Sequence, residues 1–143
     1  MNSLPLTITG RVRHGKALGR TIGMPTVNLI PDSITDRAFL SLPFGVYFSE
    51  ITADGTVYRG VTNIGIRPTV TAGREDTPSV TVETYIFDFS GDLYDREISV
   101  KLIEFHRPEM RFGSVDELSA QMHRDMEDGR RFFSEKDGSG AKK

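Results

Sequence analysis

Phe44-Gly-Val-Tyr-Phe-Ser-Glu-Ile-Thr-Ala53-Asp54-Gly55-Thr56-Val-Tyr-Arg-Gly-Val-Thr-Asn-Ile64 holds two apolar, β-branched runs either side of an Asp-Gly pair. That pair between two such runs is the strongest short-range signal for a β-hairpin, because its residues tolerate the positive φ of a tight turn. Antiparallel strands are therefore the expected framework. Downstream, Ser79–Phe89 alternates, with Val80, Val82 and Ile86 on one face and Glu83, Tyr85 and Phe87 on the other. Ser90-Gly91-Asp92 reads as a turn, and Glu97–Phe105 returns as a strand carrying Ile98, Val100 and Leu102 on one side. These two strands are expected to pair. Upstream, Thr7–Val12 and Thr26–Ile30 read as short strands, and Pro31–Pro43 as a loop without chemistry.

Only one stretch has helical periodicity. Ser114-Val-Asp-Glu117 is a capping box, followed by a stripe of Val115, Leu118, Met122 and Met126 that runs to about Phe133. The methionines read as core packing. About six strands and one amphipathic helix predict a mainly all-β fold, a small closed antiparallel barrel with the helix packed outside. The 143 residues suit a single domain, with Met1–Leu6 a loose lead-in and the polar tail from Glu135 to Lys143 disordered.

Hydrophobic content of 37% and charged content of 27% are those of a globular domain. No apolar run spans a bilayer, and no signal-peptide layout opens the chain, so no membrane association is expected. The chain has no cysteine, which excludes disulfides and thiolate metal sites and fits a cytoplasmic location. A net charge of −2 argues against nucleic acid as a partner. Residues 1–31 carry Arg11, Arg13, Lys16 and Arg20 and no acid, whereas acids dominate after Glu75. That asymmetry suits a site for a small polyanion.

The basic part contains His14-Gly-Lys-Ala-Leu-Gly-Arg-Thr-Ile-Gly-Met-Pro-Thr-Val-Asn-Leu29. Gly15, Gly19 and Gly23 let backbone amides approach a ligand, and Lys16 and Arg20 add positive charge. Pro25 then biases Met24 towards an extended shape. On the strand that follows, Thr26 and Asn28 share a side and offer hard oxygen donors suited to Mg²⁺. An anion cradle beside a metal ledge reads as a polyphosphate site. It is neither a Walker loop nor a Rossmann fingerprint.

The ordered run Gly19-Arg20-Thr-Ile-Gly23-Met-Pro25-Thr26-Val-Asn28-Leu29 resembles the signature of riboflavin kinases, including the C-terminal kinase domain of bacterial bifunctional riboflavin kinase/FAD synthetases. Three further blocks match in the same order: Gly60-Val-Thr-Asn63-Ile-Gly65-Ile-Arg67-Pro68-Thr69, Val82-Glu83-Thr84-Tyr-Ile-Phe-Asp-Phe89 and Phe105-His-Arg107-Pro108-Glu109. The resemblance implies a six-stranded Greek-key barrel and the reaction of ATP with riboflavin to give FMN and ADP. It implies Glu83 as the catalytic base on the terminal ribityl hydroxyl, Thr26 and Asn28 as Mg²⁺ ligands, and Arg107 on the flavin, with Met110 and Phe112 beside it. Gly15, Lys16, Gly19, Arg20, Gly23, Pro25 and Thr26 are assigned to the nucleotide, and Tyr94 is placed by the adenine. Arg67 reads equally as structural or functional, and Arg67–Pro78 either as a lid or as an ordinary polar loop.

The sequence departs from the family at Asp95, where Gly is usual, at Met24, where Phe is common, and at His106, which replaces an aliphatic residue. Asp95 tolerates a left-handed turn, so that turn is expected to survive. No adenylyltransferase region is recognisable, so FAD is not an expected product of this chain alone. It is expected to act as a monomer or as part of a larger bifunctional FAD synthetase. The rival reading is a non-catalytic flavin or nucleotide carrier on the same barrel, which would have no use for the carboxylate of Glu83.

Overall fold

Asp54 and Gly55 both take positive φ, 51° and 81°. A two-residue hairpin turn of the I′ kind requires this. Around that turn, β3 (Gly45–Ala53) pairs with β4 (Thr56–Thr69) in unbroken register, from Ala53↔Thr56 to Gly45↔Ile64. The computed structural model describes residues 4–13, 26–31, 40–69 and 77–138. Its other strands are β1 (Leu6–Arg13), β2 (Val27–Pro31), β5 (Thr77–Ile86) and β6 (Glu97–Pro108). The sheet closes in the order β1-β2-β5-β4-β3-β6, with each neighbouring pair antiparallel. This is a closed six-stranded barrel with one described helix, α1 (Val115–Lys136), after the last strand.

Alternation along the strands divides the side chains between an inner and an outer layer. Ile8, Leu29, Tyr47, Ile51, Ile64, Val82, Val100 and Leu102 fill the interior, each almost wholly buried. Three hydroxyls cross this hydrocarbon as a chain. Ser49 Oγ lies 2.8 Å from Thr62 Oγ1, and Thr62 Oγ1 lies 2.8 Å from Thr84 Oγ1, so β3, β4 and β5 are stitched from within. Thr62 is the shared member. Thr62→Val is expected to take this partner from both buried hydroxyls, Ser49 and Thr84, and to cost about 1–3 kcal/mol, read in urea as a lower midpoint at unchanged slope. Tyr47, buried in the core, donates to the Pro43 carbonyl at 2.6 Å, and its burial pushes the phenol pKa up.

The outer layer carries a second apolar cluster. Phe48, Phe87 and Phe133 are its buried members, with Val61, Tyr85, Ile103, Met126 and Phe132 packed against them. Here α1 lies on the barrel, and Gly129 allows the close approach. A Cβ on Gly129 would stand 3.1 Å from Phe87 and 3.3 Å from Phe48. At the helix start, Ser114 Oγ accepts from the Glu117 N–H at 3.1 Å. The Glu117 carboxylate reaches back to the Gly113 N–H at 2.7 Å, one residue before the position a capping box specifies.

Several sequence expectations change. The strand over Ser79–Phe89 and the strand over Glu97–Phe105 do not pair with each other. β5 lies between β2 and β4, and β6 between β1 and β3. Two neighbours in sequence thus sit on different sides of the barrel, as a Greek key demands. The expected loop Arg67–Pro78 is shorter than read, because β4 and β5 stay paired through Arg67↔Ser79 and Pro68↔Pro78 to Thr69↔Thr77. Residues 70–76 lie outside the described residues.

Both ends of the domain hold more order than expected. Leu6 is buried in β1 and Leu4 packs against the core. At the other end α1 runs to Lys136, beyond the expected start of the tail at Glu135. Asp137 then receives two hydrogen bonds from Arg59, at 2.5 and 2.7 Å, while the Arg59 guanidinium lies 4.8 Å from the Phe133 ring centroid. The hydrogen bond from Arg59 holds the Asp137 carboxyl below its ordinary range. Val115, read as the first residue of the apolar stripe, is instead 50% exposed.

Candidate active site

Registers across the barrel place the polar residues in one line. Asn28 on β2 is the direct partner of Glu83 on β5, and Glu83 is the direct partner of Asn63 on β4. Asn63 faces Val46 on β3, and Val46 faces Arg107 on β6. Directly opposed residues project to the same side of a sheet. Since Val27, Leu29, Val82, Thr84, Thr62 and Ile64 belong to the inner layer, the line Asn28–Glu83–Asn63–Val46–Arg107 lies on the outer wall.

Along this line runs a cleft between the barrel wall and the start of α1. Thr26, Asn63, Glu83 and Tyr85 form one side, and Arg107, Glu109, Met110 and Phe112 come from the connection into the helix. Leu118, Met122, Asp125 and Met126 supply the helix side. One flank is therefore polar and strand-borne. The other is apolar, with thioethers and a phenyl ring suited to a flat heteroaromatic.

Glu83 is half-buried and belongs to a β-strand with neighbours on both sides, so its backbone is rigidly held. Thr26 lines the same cleft, and Asn28 is the cross-strand partner of Glu83. A hydroxyl just ahead of β2, a carboxamide on β2 and a carboxylate on β5 form a hard oxygen set of the kind Mg²⁺ takes. Among the described residues no group of three His, Asp or Glu side chains could hold a metal unaided. A cation here would need oxygens from a ligand such as phosphate, which is how Mg²⁺ usually binds.

Arg107 is tied to the helix. Its Nε and Nη2 donate to the two carboxylate oxygens of Asp125 at 2.9 and 2.7 Å, and its Nη1 donates to the Pro108 carbonyl at 3.0 Å. Asp125 is nearly fully buried and also accepts from Gln121 Nε2 at 2.9 Å. His106, next to Arg107, stacks on Phe48 with centroids 4.5 Å apart. Its Nε2 lies 3.2 Å from Asp128 and 3.6 Å from Asp125. In place of an aliphatic residue it bridges barrel and helix.

Among the sequence-assigned residues, Glu83, Thr26, Arg107, Met110 and Phe112 meet in this cleft, and Asn28 adjoins it through Glu83. Tyr94 does not line it. It sits in the turn after Leu93, where Asp95 has φ 65°, donates its N–H to the Val12 carbonyl at 2.7 Å and accepts from Arg13 at 2.5 Å. The left-handed turn expected at Asp95 is present, beside the end of β1. Gly15, Lys16, Gly19, Arg20, Gly23 and Pro25 lie outside the described residues. Met126 packs against the aromatic cluster, in line with the reading of the methionines as core packing, and Met122 and Met126 also line the cleft.

Asn63 and Asp125 were not singled out from sequence. Asn63 stands in the matched block Gly60–Thr69, but its opposition to Glu83 depends on the pairing of β4 with β5. Asp125 had a local signal: it is the one acid among Leu118, Met122, Met126, Gly129 and Phe133 on the packed side of the helix. A carboxylate there needs a partner.

A family model described as riboflavin kinase matches residues 2–133. The bifunctional riboflavin kinase/FMN adenylyltransferase of Escherichia coli strain K12 is 44% identical over 130 residues, covering 90% of this chain and 38% of that protein. The chain thus spans well under half the length of that relative. Among solved structures, one named as a macrolide-efflux protein from Streptococcus pneumoniae aligns over 88% of this chain and 38% of its own, with TM-score 0.74 and 35% identity. The riboflavin kinase of Trypanosoma brucei aligns over 94% of this chain and 83% of its own, with TM-score 0.63 and 19% identity, a likeness of fold. No helix among the described residues is long and apolar enough to cross a membrane.

Proposed function

Because the chain belongs to the riboflavin kinase family, we propose that it moves the γ-phosphoryl group of ATP to the terminal ribityl hydroxyl of riboflavin, giving FMN and ADP. The observation that carries this is the place of Glu83: a carboxylate on a rigid strand, opposed by an amide on each side, at the polar flank of a cleft whose other flank is apolar. The isoalloxazine occupies the apolar flank against Met110, Phe112, Leu118 and Met122. The ribityl chain then runs along the strands towards Glu83.

Phosphoryl transfer asks for positioning and charge neutralisation more than covalent chemistry. Glu83 orients the acceptor hydroxyl and takes its proton as the oxygen bonds to the γ-phosphorus and the bond from that phosphorus to the bridging oxygen of ADP breaks. Thr26 and Asn28 would hold Mg²⁺, which would supply neutralisation of charge on the phosphate oxygens. The glycine-rich segment ahead of Thr26, with Lys16 and Arg20, receives the nucleotide.

Incubation of the purified chain with riboflavin and MgATP, with chromatographic separation of flavins, tests the reading. FMN and ADP are expected in equal amounts, no FMN is expected in EDTA, and added Mg²⁺ is expected to restore it. Folded protein that binds riboflavin and yields no FMN would leave the carrier reading in its place.

A further inference from the structure

The most buried carboxylate on the cleft lies on the helix, apart from Glu83. Asp125 has a side chain only 4% exposed, and both of its oxygens hold Arg107. Its two oxygens hold Arg107 through Nε and Nη2, Gln121 fixes one of those oxygens from one helical turn away, and Arg124 in turn donates to Gln121 Oε1 at 2.9 Å. From β6, His106 Nε2 approaches the same Asp125 oxygen at 3.6 Å. A guanidinium has five N–H donors in one plane. Among the described residues three of them are engaged, two by Asp125 and one by the Pro108 carbonyl. The remaining two belong to a group that lines the cleft.

A two-point grip fixes the plane of the guanidinium as well as its position. Lysine in place of Arg107 or an amide in place of Asp125 would lose that fixing, because neither keeps the matched fork. We infer that Asp125 is a positioning residue for flavin binding: it orients Arg107 so that the two free donors meet the carbonyl edge of the bound ring system. Asp125 acts through Arg107 and has no part in proton transfer. The inference rests on the reading of the cleft as a riboflavin site. It also makes α1 a part of the binding apparatus.

Asp125→Asn and the paired apolar exchange Arg107→Met/Asp125→Leu separate positioning from packing. Riboflavin binding is read by quenching of flavin fluorescence, turnover by FMN formation, and folding by thermal melting. Asp125→Asn is expected to raise the Kd and KM for riboflavin about tenfold or more, the equivalent of one charge-assisted hydrogen bond, while kcat and the KM for ATP stay near wild type. The apolar pair, which removes both charges at similar volume, is expected to recover the melting temperature and to leave riboflavin affinity low. Wild-type affinity in either folded variant overturns the inference. Should the wild type bind riboflavin without phosphorylating it, the kinase reading falls and the binding comparison still decides the role of Asp125. A wild type that binds no riboflavin removes both.

Discussion

Glu83→Gln is expected to lower the rate of FMN formation by roughly 10²–10⁴-fold, the usual contribution of a positioned general base. The melting temperature and riboflavin affinity should stay close to those of the unmodified protein. Glutamine keeps the size of the side chain and its hydrogen-bonding reach but cannot accept a proton from the ribityl hydroxyl. Its effect should therefore fall on kcat, the mark of an interaction made in the transition state. The position also favours a clean result, because Glu83 projects from the outer wall and the barrel interior does not depend on it. Flavin chromatography for the rate and circular dichroism for the melt decide the matter. A variant within a few-fold of wild type would take the carboxylate out of the chemistry.

Phe48→Ala should produce the largest loss of stability, about 3–5 kcal/mol for truncation of a buried phenylalanine. Phe48 is 4% exposed and sits where barrel and helix meet. It stacks on His106, lies 5.1 Å from Phe132 and 6.5 Å from Phe133 between centroids, and borders Gly129. No neighbour can collapse into the gap without giving up another ring contact. The loss should reach the cleft as well, because α1 carries Asp125, Met122 and Met126. Denaturant unfolding should show the stability change, and titration at a temperature where the variant remains folded should show weaker riboflavin binding. Stability within about 1 kcal/mol of wild type would mean that the helix is held chiefly by its ion pairs, which would be unusual for such pairs.

Local features of the sequence were legible because their causes are local. The Asp54-Gly55 turn, the alternation of Val80 to Phe87 and the cap at Ser114 each follow from a few residues and their immediate geometry. Glu83, Thr26 and Arg107 could be named as a set through the family pattern, which records cross-strand closeness without stating the register. What could not be read was which strands are neighbours. Sequence order suggested that β5 pairs with β6, whereas closure of the barrel brings β5 against β2 and β4. That pairing places Asn28 and Asn63 beside Glu83. Asp125 stands between these cases. A carboxylate among the apolar residues of the helix needs a partner, but the identity of the partner depends on how the helix lies on the barrel.

Alternation along β5 gives residues 80–86 two interleaved duties. Odd positions such as Glu83 serve the cleft, and even positions such as Val82 and Thr84 serve the interior. A single residue inserted between Thr77 and Val82, with the pairing otherwise kept, would exchange the two sets. The carboxylate would turn into hydrocarbon and a valine would stand where the base belongs. Substitutions on either face can accumulate almost independently, but changes of length within the strand fail on both counts. Length changes are tolerated only in connections that carry no part of the site, and β5 itself has a fixed reading frame.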